Sequence, residues 1–226
     1  MSAMKLTIGA AAVVCALCLT GCKDSSMTSS PFKNPCTICN PEKPKPLQSI
    51  NRVGTQAFKR DGSGNIISRG AGSPFLAGHG GASGVKFSVQ PVELQLQDGS
   101  WIKATKSLSK STTDGGATFT TDHRLDTDCH GVSFTNGEYW INDDEVAGVL
   151  KGGGFKATTT PKPGDVGIIR DEHGNIVHSV TVTKVDPTTG AVVEVSGLGG
   201  VEMHEHVNTP DDAWNDPKKT ITYYTK

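Results

Sequence analysis

The chain has 226 residues, 35% of them apolar and 20% charged, with a formal net charge of −1. These values suit a globular protein of modest core. No basic stripe and no Lys/Arg cluster with interleaved aromatics is present, which excludes nucleic-acid binding, and no segment after the N-terminus is apolar enough to cross a bilayer.

The first element is an export signal. Lys5 supplies a short basic region, and residues 6–19 form an uncharged apolar run. That run is too short for a spanning helix, which needs about 20 residues, and reads as the core of a signal peptide covering residues 1–21. Leu19-Thr20-Gly21-Cys22 closes it and resembles the bacterial lipobox. That resemblance implies lipidation of Cys22 and anchoring to the cell envelope. Lys23 follows, where an Asp would signal inner-membrane retention. The expected location is therefore the outer membrane, facing the periplasm. Lipid chains hold a bilayer with about 0.8 kcal/mol per buried CH₂.

Residues 22–49 read as a Pro/Ser-rich tether, stiffened by PEKPKP. Cys36 and Cys39 lie within it. No second CxxC accompanies them to complete a zinc site, and a small local disulfide is the expected state. Of six cysteines, Cys129 alone then has no assigned partner. Such a leftover thiol in an exported chain needs either burial or a chemical task.

From residue 50 the texture is that of one α+β domain running to residue 226, with a β-rich part over 50–120 and the thiol-bearing core over 121–226. Residues 51–70 read as two short strands around Asp61-Gly62-Ser63-Gly64, and residues 71–84 as a loop. VKFSVQPVELQLQDGSWIKATKSL alternates apolar and polar residues on either side of Asp98-Gly99, a strand–turn–strand pattern. Residues 109–125 read as a polar loop leading to the thiol.

In the second half, Cys129 opens a short apolar helical piece that Asn136-Gly137 breaks, and Asp128 can cap it. A helix follows from Asn142 or Asp143, with acidic residues in its first turn and Val146, Val149 and Leu150 on its apolar face. Gly152 to Gly154 end it. Strands are predicted in GDVGIIRD, IVHSVTVTKV, AVVEVSG and TITYYT, with turns at His173-Gly174-Asn175 and Asp186 to Gly190. A helix before antiparallel strands makes the class α+β.

DCHG, then GDVGIIRDEHGNIVHSVTV, then VVEVSGLGG, over roughly residues 126–200, resembles the NlpC/P60 and CHAP branch of papain-like cysteine peptidases. The resemblance implies a papain-like fold, with Cys129 as nucleophile at a helix start, Gly164-Asp165-Val166 in the first strand and His178 as general base. The wider pattern also resembles a subgroup of papain-like domains, some at the ends of bacterial toxins. Two departures stand out. His130 occupies a position where the family usually has Ser, and its expected task is to orient a neighbour, bind substrate or cap the helix. The third catalytic residue is open. Ser196 is the polar side chain in the window opposite His178, and His206 of EMHEHVNTP is the alternative. The MHEH cluster reads as a solvent-facing loop rather than a metal site, and no metal or cofactor is expected. Trp140 and Trp101 read as core or groove wall. His79 falls in a Gly-rich loop, His123 in the loop before the nucleophile and His173 in a turn.

The chemistry accounts for the residue types. A thiolate is the nucleophile, and a free thiol titrates near 8.5. A helix N-terminus and an imidazolium both favour the charged form. Attack on a carbonyl, protonation of the leaving amine by His178 and hydrolysis of the thioester would follow. The expected function is a monomeric, lipid-anchored cysteine hydrolase cutting an amide bond in peptidoglycan peptides. The alternatives are a protein-directed deamidase, acyltransferase or toxin-like effector, and a binding lipoprotein without turnover, in which Cys129 would be a small buried core residue.

Overall fold

Residues 50–79, 82–108, 112–113, 127–199 and 204–226 are described by a computed structural model, and all belong to one compact unit. The expected signal peptide, lipidation at Cys22, Cys36–Cys39 disulfide and tether to residue 49, together with His123, lie outside the described residues. Among the described residues no helix is long and apolar enough to cross a membrane.

Alternation in the first half builds an antiparallel sheet around one long strand. Strands β1 (Ser68–Gly70) and β2 (Phe75–His79) pair with one edge of β3 (Ala82–Gln95), and β4 (Trp101–Ser107) and β5 (Thr112–Thr113) with the other. The β3–β4 hairpin turns at Asp98-Gly99, as its pattern predicts. Two expectations fail here. The loop expected over 71–84 is cut short, because Phe75–His79 is a strand paired with β3 and β3 itself starts at Ala82. The first of the two short strands is a 3₁₀ helix, Val53–Ala57, whose first N–H donates to the distant Gly164 carbonyl at 2.8 Å. Gly54 packs on the Ser133 carbonyl so closely that a Cβ would collide with it.

The second half forms a six-stranded antiparallel sheet. Its strands are β6 (Lys156–Thr158), β7 (Val166–Arg170), β8 (Ile176–Val185), β9 (Val192–Gly199), β10 (His204–Asn208) and β11 (Thr220–Thr225), in the order β10-β9-β8-β7-β11-β6. The four predicted strands are present. β6 and β10 are additional, so the MHEH segment is not a solvent-facing loop over His204–Asn208 but an edge strand on β9. The turns share one device: Asp61, Asp98, Asp171 and Asp186 each accept backbone N–H bonds from the next two to four residues. Each of the four carboxyls is held below its ordinary pKa, Asp98 first by the Ser100 hydroxyl and Asp171 first by the Asn175 side-chain amide, Asp61 and Asp186 first by these backbone bonds.

Helix α1 (Cys129–Thr135) lies on β8 and β9, and α2 (Asp143–Gly152) on β4 and β8. Asn136 stops α1 in the left-handed region, φ 56°. Asn142 occupies the cap position of α2 but makes no side-chain cap bond. One core joins both halves: Leu94 and Ile102 of the first sheet meet Phe134, Val146, Val149 and Ile168. Full burial of each is worth roughly 1.5–3 kcal/mol. The β7 pleat sends Ile168 into this core. Ile169 goes to a second cluster on the opposite face, with Val180, Val195 and the half-buried Trp214. Consecutive residues of β8 therefore serve different faces, and His178 and Ser179 are such a pair.

Candidate active site

The site begins with the cap of α1. Asp128 is extended, and its Oδ1 accepts from Gly131 N at 2.6 Å and from Ile141 N at 3.2 Å. This fixes where the helix starts and ties it to the strand-like segment after Tyr139. Gly131 admits no side chain, because a Cβ would collide with the Tyr139 carbonyl and Thr127 Oγ1. Both the Asp and the Gly of DCHG thus have steric and hydrogen-bonding reasons, and Cys129 is delivered as the first helical residue.

Cys129 is a partly exposed residue, and its thiol, itself set inward, lies beside two imidazoles, those of His130 and His178. Burial pushes its pKa up, but the charges and hydrogen bonds of His130 and His178 outweigh this and hold it well below the ordinary 9.0. His130 is fully buried. Its Nδ1 is 2.9 Å from Ser179 Oγ and its Nε2 2.9 Å from Asp143 Oδ1. Burial lowers its pKa, yet the Cys129 thiolate, the Asp143 hydrogen bond and Asp128 raise it to about 10. Asp128 is pushed up to about 8 by burial and by the negative charge of Cys129. These groups interact strongly enough to titrate as a set.

His178 is 5% exposed and stacks on Trp214, with ring centroids 5.2 Å apart and planes inclined by 27°. Its Nε2 is turned toward β9. A Cβ on Gly197 would stand 3.0 Å from that nitrogen, so the glycine makes room for the ring.

The other expected residues are placed as follows. Ser196 sits opposite Thr181, not His178. It is buried, and its hydroxyl donates to the Glu205 carboxylate, which also pairs with Arg52. Ser196 and Gly197 point to opposite faces of the pleat, so Ser196 is on the face away from the His178 ring. His206 is opposite Gly197 in the β9–β10 register. His130 is sealed from solvent, which removes direct substrate contact as its task and leaves orientation of its neighbours. Trp140 is half-buried where its backbone bridges to Thr105 of β4, and His173 is exposed in its turn.

Ser179, Asp143, Gly197 and Trp214 were not legible as site residues. Asp143 reads as a helix-start acid, Ser179 as one polar residue of an alternating strand, and Gly197 has no functional group. Among the described residues no group of three His, Cys, Asp or Glu side chains is disposed to hold a metal ion.

No protein-family model, curated protein or solved structure matches the chain.

Proposed function

We propose that the chain is a cell-envelope cysteine hydrolase, lipid-anchored through Cys22, that cleaves an amide bond in peptidoglycan peptides on a papain-like scaffold. The observation that carries this reading is Cys129, a partly exposed residue at the start of a helix with the imidazoles of His130 and His178 beside its sulfur.

The Cys129 thiolate attacks the carbonyl carbon, and the carbonyl π electrons move onto oxygen. Collapse of that tetrahedral species breaks the C–N bond, and His178 gives its proton to the leaving amine. His178 then takes a proton from water, whose hydroxide adds to the thioester and releases the acid and the Cys129 thiolate, with His178 protonated again. The third position goes to His206 rather than Ser196. His206 faces Gly197, the residue over which His178 Nε2 lies, whereas the Ser196 hydroxyl is committed to Glu205. Trp214 covers one side of the His178 ring and limits its rotation.

The test is digestion of purified sacculi by the full-length protein in detergent, with the products read by mass spectrometry. New pairs of peptide amine and carboxyl ends are expected, absent with Cys129→Ala. Intact sacculi, or equal cleavage by Cys129→Ala, would overturn the proposal.

A further inference from the structure

The reaction above uses one imidazole, yet two stand against the sulfur. His130 is the second residue of α1, and groups on three elements face it: Asp143 from α2, Ser179 from β8, and Cys129 and Asp128 from its own helix. His178 stands across the same sulfur.

The contacts define what the ring can do. Nε2 faces a carboxylate oxygen of Asp143 at 2.9 Å, which only accepts, so Nε2 carries a proton. Nδ1 is 2.9 Å from Ser179 Oγ, whose single proton has two other acceptors in reach, the Cys129 carbonyl at 3.1 Å and Ser133 Oγ at 3.0 Å. With the hydroxyl proton on either of these, Nδ1 donates to Ser179 Oγ, and the ring is an imidazolium held between the Asp143 carboxylate and the Cys129 sulfur.

We infer that His130 is a fixed imidazolium that serves as the standing counter-charge of the Cys129 thiolate, leaving His178 free to carry the proton. The inference rests on the Cys129–His178 hydrolase reading for its catalytic meaning, but not for its geometry. In a site with one histidine, the ring that stabilises the thiolate is also the ring that gives its proton away. Here the two tasks fall on different rings. His130 is sealed from solvent and bonded at both nitrogens, so it keeps its proton. His178, held by stacking, exchanges one. The raised pKa of His130 and the lowered one of Cys129 agree with this division.

The experiment is the rate of Cys129 alkylation by iodoacetamide as a function of pH, in the full-length protein and in His130→Asn, Asp143→Asn and His178→Ala. His178→Ala is expected to lose hydrolysis and to keep rapid alkylation at pH 6. His130→Asn is expected to move the alkylation midpoint up toward the free-thiol value of about 8.5, with at least a tenfold loss of rate at pH 6. The Asp143 side chain is 63% exposed, so Asp143→Asn keeps the fold and should shift the midpoint the same way by less. Nitrogen chemical shifts of His130 should report both ring nitrogens protonated at pH 8. An unchanged alkylation profile in both His130→Asn and Asp143→Asn, a neutral His130 at pH 7, or loss of the thiolate in His178→Ala would each overturn the inference. Alkylation needs no substrate, so the result stands apart from the fate of the sacculus digestion.

Discussion

Gly131 and Tyr139 are in such close apposition that the carbonyl oxygen of Tyr139 occupies the space a Cβ on Gly131 would need. Asp128 Oδ1 would also lie 2.9 Å from that Cβ, and it is the acceptor that starts the helix. Gly131→Ala must therefore push apart the cap and the segment that the cap holds. A loss of about 3 kcal/mol is expected, the upper end for inserting one methyl into a filled site. Urea denaturation checks it; a variant within about 0.5 kcal/mol of the parent would show that the chain gives way there.

Gly197→Ala tests the placement of His178. The added methyl would stand 3.0 Å from His178 Nε2 and 2.9 Å from Val180 Cγ1. Val180 is buried in the core and must also give way, so a loss of about 1–3 kcal/mol accompanies the change. Displacing the imidazole by a fraction of an ångström to 1 Å should lower kcat by about 10- to 100-fold, with KM little changed. Steady-state hydrolysis gives the split, and an unaltered kcat would detach His178 from the chemistry.

Cys129→Ala should move two neighbours in one direction. The thiolate is the anion that pushes both His130 and Asp128 up, so both midpoints should fall when it is removed, as NMR titration would show. The effect on stability follows by sign. His130, raised to about 10 from 6.5, contributes stability that is complete below pH 6.5 and is lost as pH rises through about 10. Asp128, raised to about 8 from 3.8, contributes stability complete below 3.8 and lost through about 8. Cys129 is depressed, so its contribution is present above 9.0 and is lost as pH falls toward its folded value. The parent should therefore lose stability between about pH 9 and 10, where the unfolded thiol ionises and folded His130 gives up its proton. The alanine variant should lose less over that interval. Parallel alkaline limbs in denaturation would refute the coupling.

The parts of the molecule legible from the sequence are those that local pattern dictates. The period-two runs of β3 and β4 stand where alternation puts them, β7, β8 and β9 lie between their turn residues, and the acidic first turn of α2 marks its start. Residues 53–57 read as a strand because their ties are distant, the Gly164 carbonyl for Val53 N–H and the Ser133 carbonyl against Gly54, and β10 reads as a loop because an edge strand needs the register of β9 to exist. The site divides in the same way. Cys129 and His178 carry chemistry in their own side chains and could be found. The partners of His130 lie 13 and 49 positions away, so no spacing announces them. Polarity pointed to Ser196, whereas the pleat makes its neighbour Gly197 the residue that matters to the imidazole.

Ser196 offers the sharpest separation of structure from catalysis. Its hydroxyl and the Arg52 guanidinium meet on one oxygen of Glu205, and the Arg52 and Glu205 side chains are 1% and 3% exposed. The other oxygen, Oε2, is buried with no hydrogen-bond partner, so the pair is desolvated and incompletely satisfied. Removing Glu205 takes a buried ion-pair partner from Arg52, and Glu205→Ala should cost about 3–5 kcal/mol. Replacing both charges, in Arg52→Met with Glu205→Leu, should recover most of that loss, because packed apolar groups of similar volume match a buried ion pair. Ser196→Ala removes one hydrogen bond to a charged group and should cost about 1.5–3 kcal/mol while leaving kcat at the parental level. If Ser196→Ala instead matches His178→Ala in lost hydrolysis at unchanged stability, the serine acts on the imidazole, and His206 gives up the third position to it.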